Sequence, residues 1–247
     1  MRRFFIWLVI LVWLVPSYGM AKGLTVITEN NPPYTFEKDG RVSGITTDIL
    51  LEVMREAGLQ LSCKDIQLWP WARGYETIQN ESNVLLYATS WSAERESMFQ
   101  WVGPIMEARH SVLALKDTDI TIEEPKTDLT KYRIGTVRKA VAERSLETQG
   151  VKLGRVHRLN DVELGLDMML EGRLDGVVFN DFAMRSILAE KGVYADKVKT
   201  VYIVMKTQHF FALSKDTDPA LVKQLQDALD RLKVNGTVDS IIKQYIH

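Results

Sequence analysis

The sequence predicts an α/β protein of two lobes, each a mostly parallel sheet flanked by helices, and three observations carry that prediction. Short β-branched or apolar runs alternate with longer amphipathic ones, the pattern of strand-helix-strand units. The pattern restarts after a charged, threonine-rich connector at residues 116–131. About 225 residues follow an apolar N-terminal segment, enough for one or two domains of ordinary size.

The N-terminal segment comes first. Arg2 and Arg3 precede an apolar run over residues 4–15, and Gly19-Met20-Ala21 has the small-x-small form of a cleavage site. Pro16 and Gly19 interrupt the run, which falls short of the roughly 20 residues of a membrane span. A signal peptide over residues 1–21 is therefore expected, with a periplasmic product beginning near Lys22. Cys63, the one cysteine, is far from this site and cannot accept an anchoring lipid there. It cannot form an intrachain disulfide either, and is read as a small packed residue.

Residues 24–28 read as the first strand. After Pro32-Pro33, Ile45, Ile49, Leu50, Val53, Met54 and Ala57 recur at helical spacing, with Thr47 or Asp48 as cap and Gly58 as stop. Residues 84–89 and 111–115 are further strands, and residues 91–103 read as a polar, capped segment that begins as a helix. Beyond the connector come a strand at 132–137, a helix near 140–148, a helix bearing Val162, Leu166, Met169 and Leu170, and a buried strand at 176–179. Apolar runs follow at 201–205 and 210–213. Asp218-Pro219 opens a helix with Leu221, Val222, Leu225, Leu229 and Leu232 on one face, proline standing where its missing N–H is harmless. Gly236 precedes a short last helix.

Charge narrows the function. Loss of Arg2 and Arg3 takes 31 basic residues to 29 against 32 acidic ones, so nucleic acid and anionic membranes are poor partners. The four histidines are scattered, and no G-x-S-x-G, H-E-x-x-H or P-loop pattern occurs. No cofactor or metal is expected.

Four segments, in order, are similar to the bacterial extracellular solute-binding family 3, the polar amino-acid-binding proteins of ABC importers. They are Asn31-Pro32-Pro33-Tyr34 with Gly40, Gly44 and Asp48-Ile49; Thr89-Ser90-Trp91-Ser92-Ala93-Glu94-Arg95 with Phe99 and Gly103-Pro104; Gly172-Arg173-Leu174-Asp175-Gly176; and the tail from Phe211 to Tyr245. The resemblance implies the type II periplasmic-binding-protein fold, with residues 22–113 and 207–247 in lobe 1, residues 114–206 in lobe 2, and two crossover segments as a hinge. It implies a monomer that closes on an amino-acid-like ligand and meets an inner-membrane ABC permease. An orphan sensor, or an enzyme such as a dehydratase or peptidoglycan-cleaving protein on the same fold, is the alternative.

Candidate ligand residues follow from the same resemblance. Arg95 matches the carboxylate-binding arginine, whose planar fork suits a carboxylate. Ser90 stands where the family presents donors, and its hydroxyl could equally cap a following helix. The family's ammonium-binding acid is Asn180 here, so either adjacent Asp181 takes the role or the ligand lacks an α-ammonium. The anion-binding turn reads Lys139-Ala140-Val141, where Lys139 offers a point charge or simply faces solvent. Tyr34, Trp71 and Trp91 are expected to wall the cleft. Arg73 is a second anion partner or pairs with Glu76.

Overall fold

The computed structural model describes residues 19–20 and 23–245. The expected signal segment, Gly19 and Met20 apart, and the expected start at Lys22 lie outside the described residues. Gly19–Met20 (β1) runs parallel to Leu59–Gln60 (β5).

A single sheet of eight strands passes through both lobes. At one end, Thr25–Thr28 (β2), Gln67–Leu68 (β6) and Val84–Ser90 (β7) are parallel; at the other, so are Ile134–Val137 (β9), His157–Leu159 (β10) and Gly176–Asn180 (β11). Two strands of 17 residues, Phe99–Leu115 (β8) and Val198–Ser214 (β12), join the ends and pair antiparallel along their length. The order is β10-β9-β11-β8-β12-β7-β2-β6. Phe36–Lys38 (β3) and Arg41–Ser43 (β4) form a separate hairpin.

The two long strands change partners along their length. β7 stops at Ser90, opposite His209, and β11 reaches β8 at His110. In the strand register, residues 107–109 and 206–208 between them are matched with each other. Leu113, where the first crossover is expected, already pairs with Val177.

Two expectations need correction. Residues 91–103 do not begin a helix: a turn and one short 3-10 turn, Glu96–Met98, lead straight into β8. The N–H of Trp91 donates to the carbonyl of Gln208 at 3.0 Å, so the contact with β12 continues one residue beyond β7. The strands expected at 111–115, 201–205 and 210–213 are parts of β8 and β12, lengthened by their mutual pairing.

The other correction concerns the helix Ile45–Glu56 (α1), which is capped at Gly44 and by neither Thr47 nor Asp48. Gly44 has φ 120°, and a Cβ there would lie 2.5 Å from the Tyr34 carbonyl oxygen. Only glycine permits that approach. The N–H groups of Ile45 and Thr46 then donate to the carbonyls of Pro33 and Tyr34, both at 3.0 Å, so the helix terminus fixes the Pro-Pro-Tyr loop.

The buried face of α1, Ile45, Ile49, Leu50, Val53 and Met54, packs on Leu225, Ala228, Leu229 and Leu232 of Pro219–Val234 (α7) and on Val238 and Ile241 of Thr237–Tyr245 (α8). Asp218 caps α7, accepting from the Ala220 N–H at 2.8 Å, with Pro219 in its first turn as expected. The other lobe holds a core of Val112, Leu129, Ile134, Leu146 and Val178.

Candidate functional site

The turn after β7 folds Arg95 back under the sheet, where it is 4 % exposed. One guanidinium nitrogen donates to the Ser90 carbonyl at 3.2 Å and another to the Lys139 carbonyl at 2.9 Å. The group also lies over the rings of Tyr75 and Trp71, at 4.7 and 5.4 Å from their centroids. Burial lowers its pKa from the usual arginine value, but a guanidinium remains cationic in any case.

Trp71 opens Trp71–Asn80 (α2) and its indole N–H donates to the same Lys139 carbonyl at 2.9 Å. Lys139 adopts φ 61°, a left-handed conformation in the turn between β9 and Val141–Thr148 (α4). Glu143, 4 % exposed, holds that turn by accepting from the Lys139 N–H at 2.8 Å while paired with Arg158 at 2.7 Å.

These groups enclose a cavity of about 40 Å³ between the lobes. Its wall includes Glu29, Asn31, Trp71, Ser90 and Arg95 from one side and Ala140, Val141, Ala142 and Phe179 from the other, with His110 and His209 on the long strands. No side chain caps α4, whose first residues form part of this wall. A helix N-terminus favours an anion.

The ionisable groups of the cavity are held mostly neutral. Burial pushes the Glu29 carboxyl up to about 8 despite nearby Arg95. His110 is pushed down to about 4 and His209 to about 3, again chiefly by burial. His110 Nε2 is 3.1 Å from the Ser90 hydroxyl, while His209 Nδ1 and Asn31 Oδ1 are buried with no partner. Arg95 is thus the one fixed charge in this wall at neutral pH.

Of the candidates, Trp71, Ser90 and Arg95 line the cavity. Ser90 is the last residue of β7 and its hydroxyl meets His110, so it caps no helix. Lys139 is not part of the cavity wall: its carbonyl accepts from Arg95 and Trp71, and its ammonium points to Glu76, 3.0 Å away at the exposed rim. Arg73 is exposed and stacks on Trp69, 3.8 Å from the ring centroid, rather than pairing with Glu76.

Tyr34, Trp91 and Asp181 line a separate open groove of about 1040 Å³ beside the hinge strands. Tyr34 lines the groove and also touches His209 of the cavity wall. Its ring packs edge-on against His209, centroids 4.4 Å apart, and its hydroxyl donates to Asn180 Oδ1 at 3.1 Å. Asp181 accepts from Arg109 at 2.7 and 2.8 Å and from Thr200 at 3.1 Å, outside the Arg95 cavity. Asn180 caps Asp181–Glu190 (α6), accepting from the N–H groups of Phe182 and Ala183, both at 3.0 Å.

Sequence reasoning misses Glu29, Asn31, His110 and His209. Glu29 and Asn31 follow the first strand directly, ahead of the Pro-Pro-Tyr loop, and that position was a usable signal. His110 and His209 carry no motif, because their approach is created by the pairing of β8 with β12.

No helix among the described residues is long and apolar enough to cross a membrane. Two curated relatives are each called a probable histidine-binding protein. That of Campylobacter jejuni is 21 % identical over 87 % of this chain and 81 % of its own length; that of Neisseria gonorrhoeae is also 21 % identical, over 87 % and 78 %. Among solved structures, the arginine-, lysine-, histidine-binding protein ArtJ from Geobacillus stearothermophilus has a similar fold, with TM-score 0.75, 17 % identity, and 90 % of this chain and 95 % of that one covered. A histidine kinase sensor domain with similarity to periplasmic binding proteins gives TM-score 0.77 at 17 % identity over 91 % and 96 %. The profile of the bacterial extracellular solute-binding proteins, family 3, matches residues 24–247, and the chain belongs to that family.

Proposed function

We propose that the protein is a periplasmic binding protein that encloses a small carboxylate-bearing solute, an amino acid or a related acid, and delivers it to an ABC-type importer. The buried guanidinium of Arg95, facing the uncapped start of α4, carries this reading. A carboxylate taken from water needs charge-assisted bonds to replace its hydration, and Arg95 has donors beyond the two given to carbonyls. The histidine- and arginine-binding relatives support an amino-acid-like ligand. Export through the N-terminal segment, a monomeric state, and a hinge on residues 107–109 and 206–208 of the two long strands complete the proposal.

The Ser90 hydroxyl and His110 have the spacing of a nucleophile and its base. An imidazole held down to about 4 is a weak proton acceptor at neutral pH, so the pair favours binding over catalysis. A panel of amino acids and small carboxylates screened by thermal shift tests the reading, because a ligand of the folded state raises Tm. A deletion strain that still imports the identified ligand at the normal rate would favour the sensor alternative.

A further inference from the structure

The open groove of about 1040 Å³ shares no lining residue with the Arg95 cavity. Small-molecule sites run to roughly 1,000 Å³, with apolar and aromatic walls and a few placed polar groups. The groove has such walls, and neighbouring rings hold them in place. Phe182, in the first turn of α6, lies edge-on to Tyr34 with centroids 5.7 Å apart, and Phe210 of β12 lies edge-on to Trp101 at 5.7 Å. Phe182, Phe210, Trp91 and Met205 all line the groove and all are half-buried. An apolar guest that covers them gains the free energy of removing that surface from water.

Five charged side chains share the same wall: Arg109, Arg185, Lys206, Glu107 and Asp181, an excess of one positive charge. Asp181 is already engaged, by Arg109 at 2.7 and 2.8 Å and by the Thr200 hydroxyl at 3.1 Å. Lys206 stands opposite Arg109 in the register of β8 with β12. Like charges directly opposite in a sheet repel. Glu107, two residues before Arg109, offsets one of these cations. Arg185 follows Asp181 by one turn of α6 and so shares its face of the helix. Arg185 and Lys206 are both exposed, and neither has an ion-pair partner among the described residues. A carboxylate is the group that answers this excess, with charge-assisted bonds to cations whose donors are free.

We propose that the groove is a second ligand site, for a small organic anion with a flat apolar body. The body lies on the half-buried aromatic residues and the carboxylate meets the cluster of Lys206, Arg185 and Arg109. The Arg95 cavity, at about 40 Å³, has no room for such a body in this conformation. The two sites are independent in their residues, so this assignment does not rest on the reading of Arg95.

Calorimetry on the purified full chain tests it with indole-3-acetate and benzoate as probes, and with the uncharged indole-3-acetamide and benzamide as their controls. At least one acid is expected to bind tenfold or more tightly than its amide. The double variant Arg185→Gln, Lys206→Gln, at two exposed positions, is expected to lose tenfold or more of that affinity with its circular dichroism unchanged. Arg95→Ala is expected to bind the acid as the native protein does. Equal binding of acid and amide, no heat from either acid at millimolar concentration, or full affinity in the folded double variant overturns the proposal. Loss of the acid in folded Arg95→Ala also overturns it, by putting the probe in the cavity, and leaves the Arg95 reading standing. Self-association in sedimentation that the double variant abolishes would give the groove to a second copy of the chain instead, and overturns it too.

Discussion

Arg95 of one lobe donates to the main-chain carbonyl of Lys139 in the other at 2.9 Å, and Trp71 donates to the same oxygen at the same distance. The carbonyl is available because Lys139 sits at φ 61°. The cleft is thus latched through backbone, by the same guanidinium that lines the cavity.

Removing that guanidinium should be costly for binding. Arg95→Ala leaves a ligand carboxylate desolvated and unpaired, a loss of about 2–5 kcal/mol, or roughly 30-fold or more in Kd. Arg95→Lys should recover only part, because a point charge cannot form two parallel bonds. Calorimetry on folded variants measures both, and near-normal affinity in Arg95→Ala would contradict the carboxylate reading.

Lys139→Gly should be tolerated in stability. A non-glycine residue in the left-handed region costs about 1–2 kcal/mol, glycine costs about 0.5–1 kcal/mol in unfolded-state entropy, and the exposed Lys139–Glu76 pair is worth at most about 1 kcal/mol. The expected change lies within about 1 kcal/mol of zero in urea denaturation. A larger loss would show that the lysine side chain itself holds the lobes.

Glu29 gives the cavity a pH signature. Its folded pKa of about 8 stands above the ordinary 4.5, so the stability its neutral form provides is full below pH 4.5 and is lost as pH rises toward 8. Glu29→Gln lacks this loss. The variant should therefore gain on the native protein across that window, by at most about 1.4 kcal/mol per pH unit. Denaturation curves at several pH values between 4.5 and 8 check it, and a difference that stays constant with pH would place an ionised Glu29 in the folded protein.

Salt should loosen the ligand-free cleft. Arg144 with Glu94 at 2.7 Å, and Lys139 with Glu76 at 3.0 Å, bridge the lobes at an exposed rim, beside the Asn30 to Glu163 hydrogen bond at 2.7 Å. At 1 M salt the screening length is about 3 Å, which weakens the ion pairs and leaves the buried Arg95 contact. Solution scattering should show a larger radius at high salt without ligand and an unchanged one with saturating ligand. An identical radius in both would mean that the rim pairs do not contribute to closure.

Local signals were sufficient for much of this protein. The alternation of strand and helix, the Asp218-Pro219 start of α7 and the apolar face of α1 are short-range properties of the chain, and each reappears in the structure. Arg95, Ser90 and Trp71, three of the residues named from the family resemblance, line one cavity. Tertiary structure decided the rest. Strand alternation says which residues share a face but not which distant strand they meet. Only the registration of β8 against β12 lengthens both strands and sets His110 and His209 in the cavity wall. Asn180 and Asp181 are neighbours in sequence, yet the end of β11 and the start of α6 send one to a helix cap and the other to Arg109, because the chain changes direction between them.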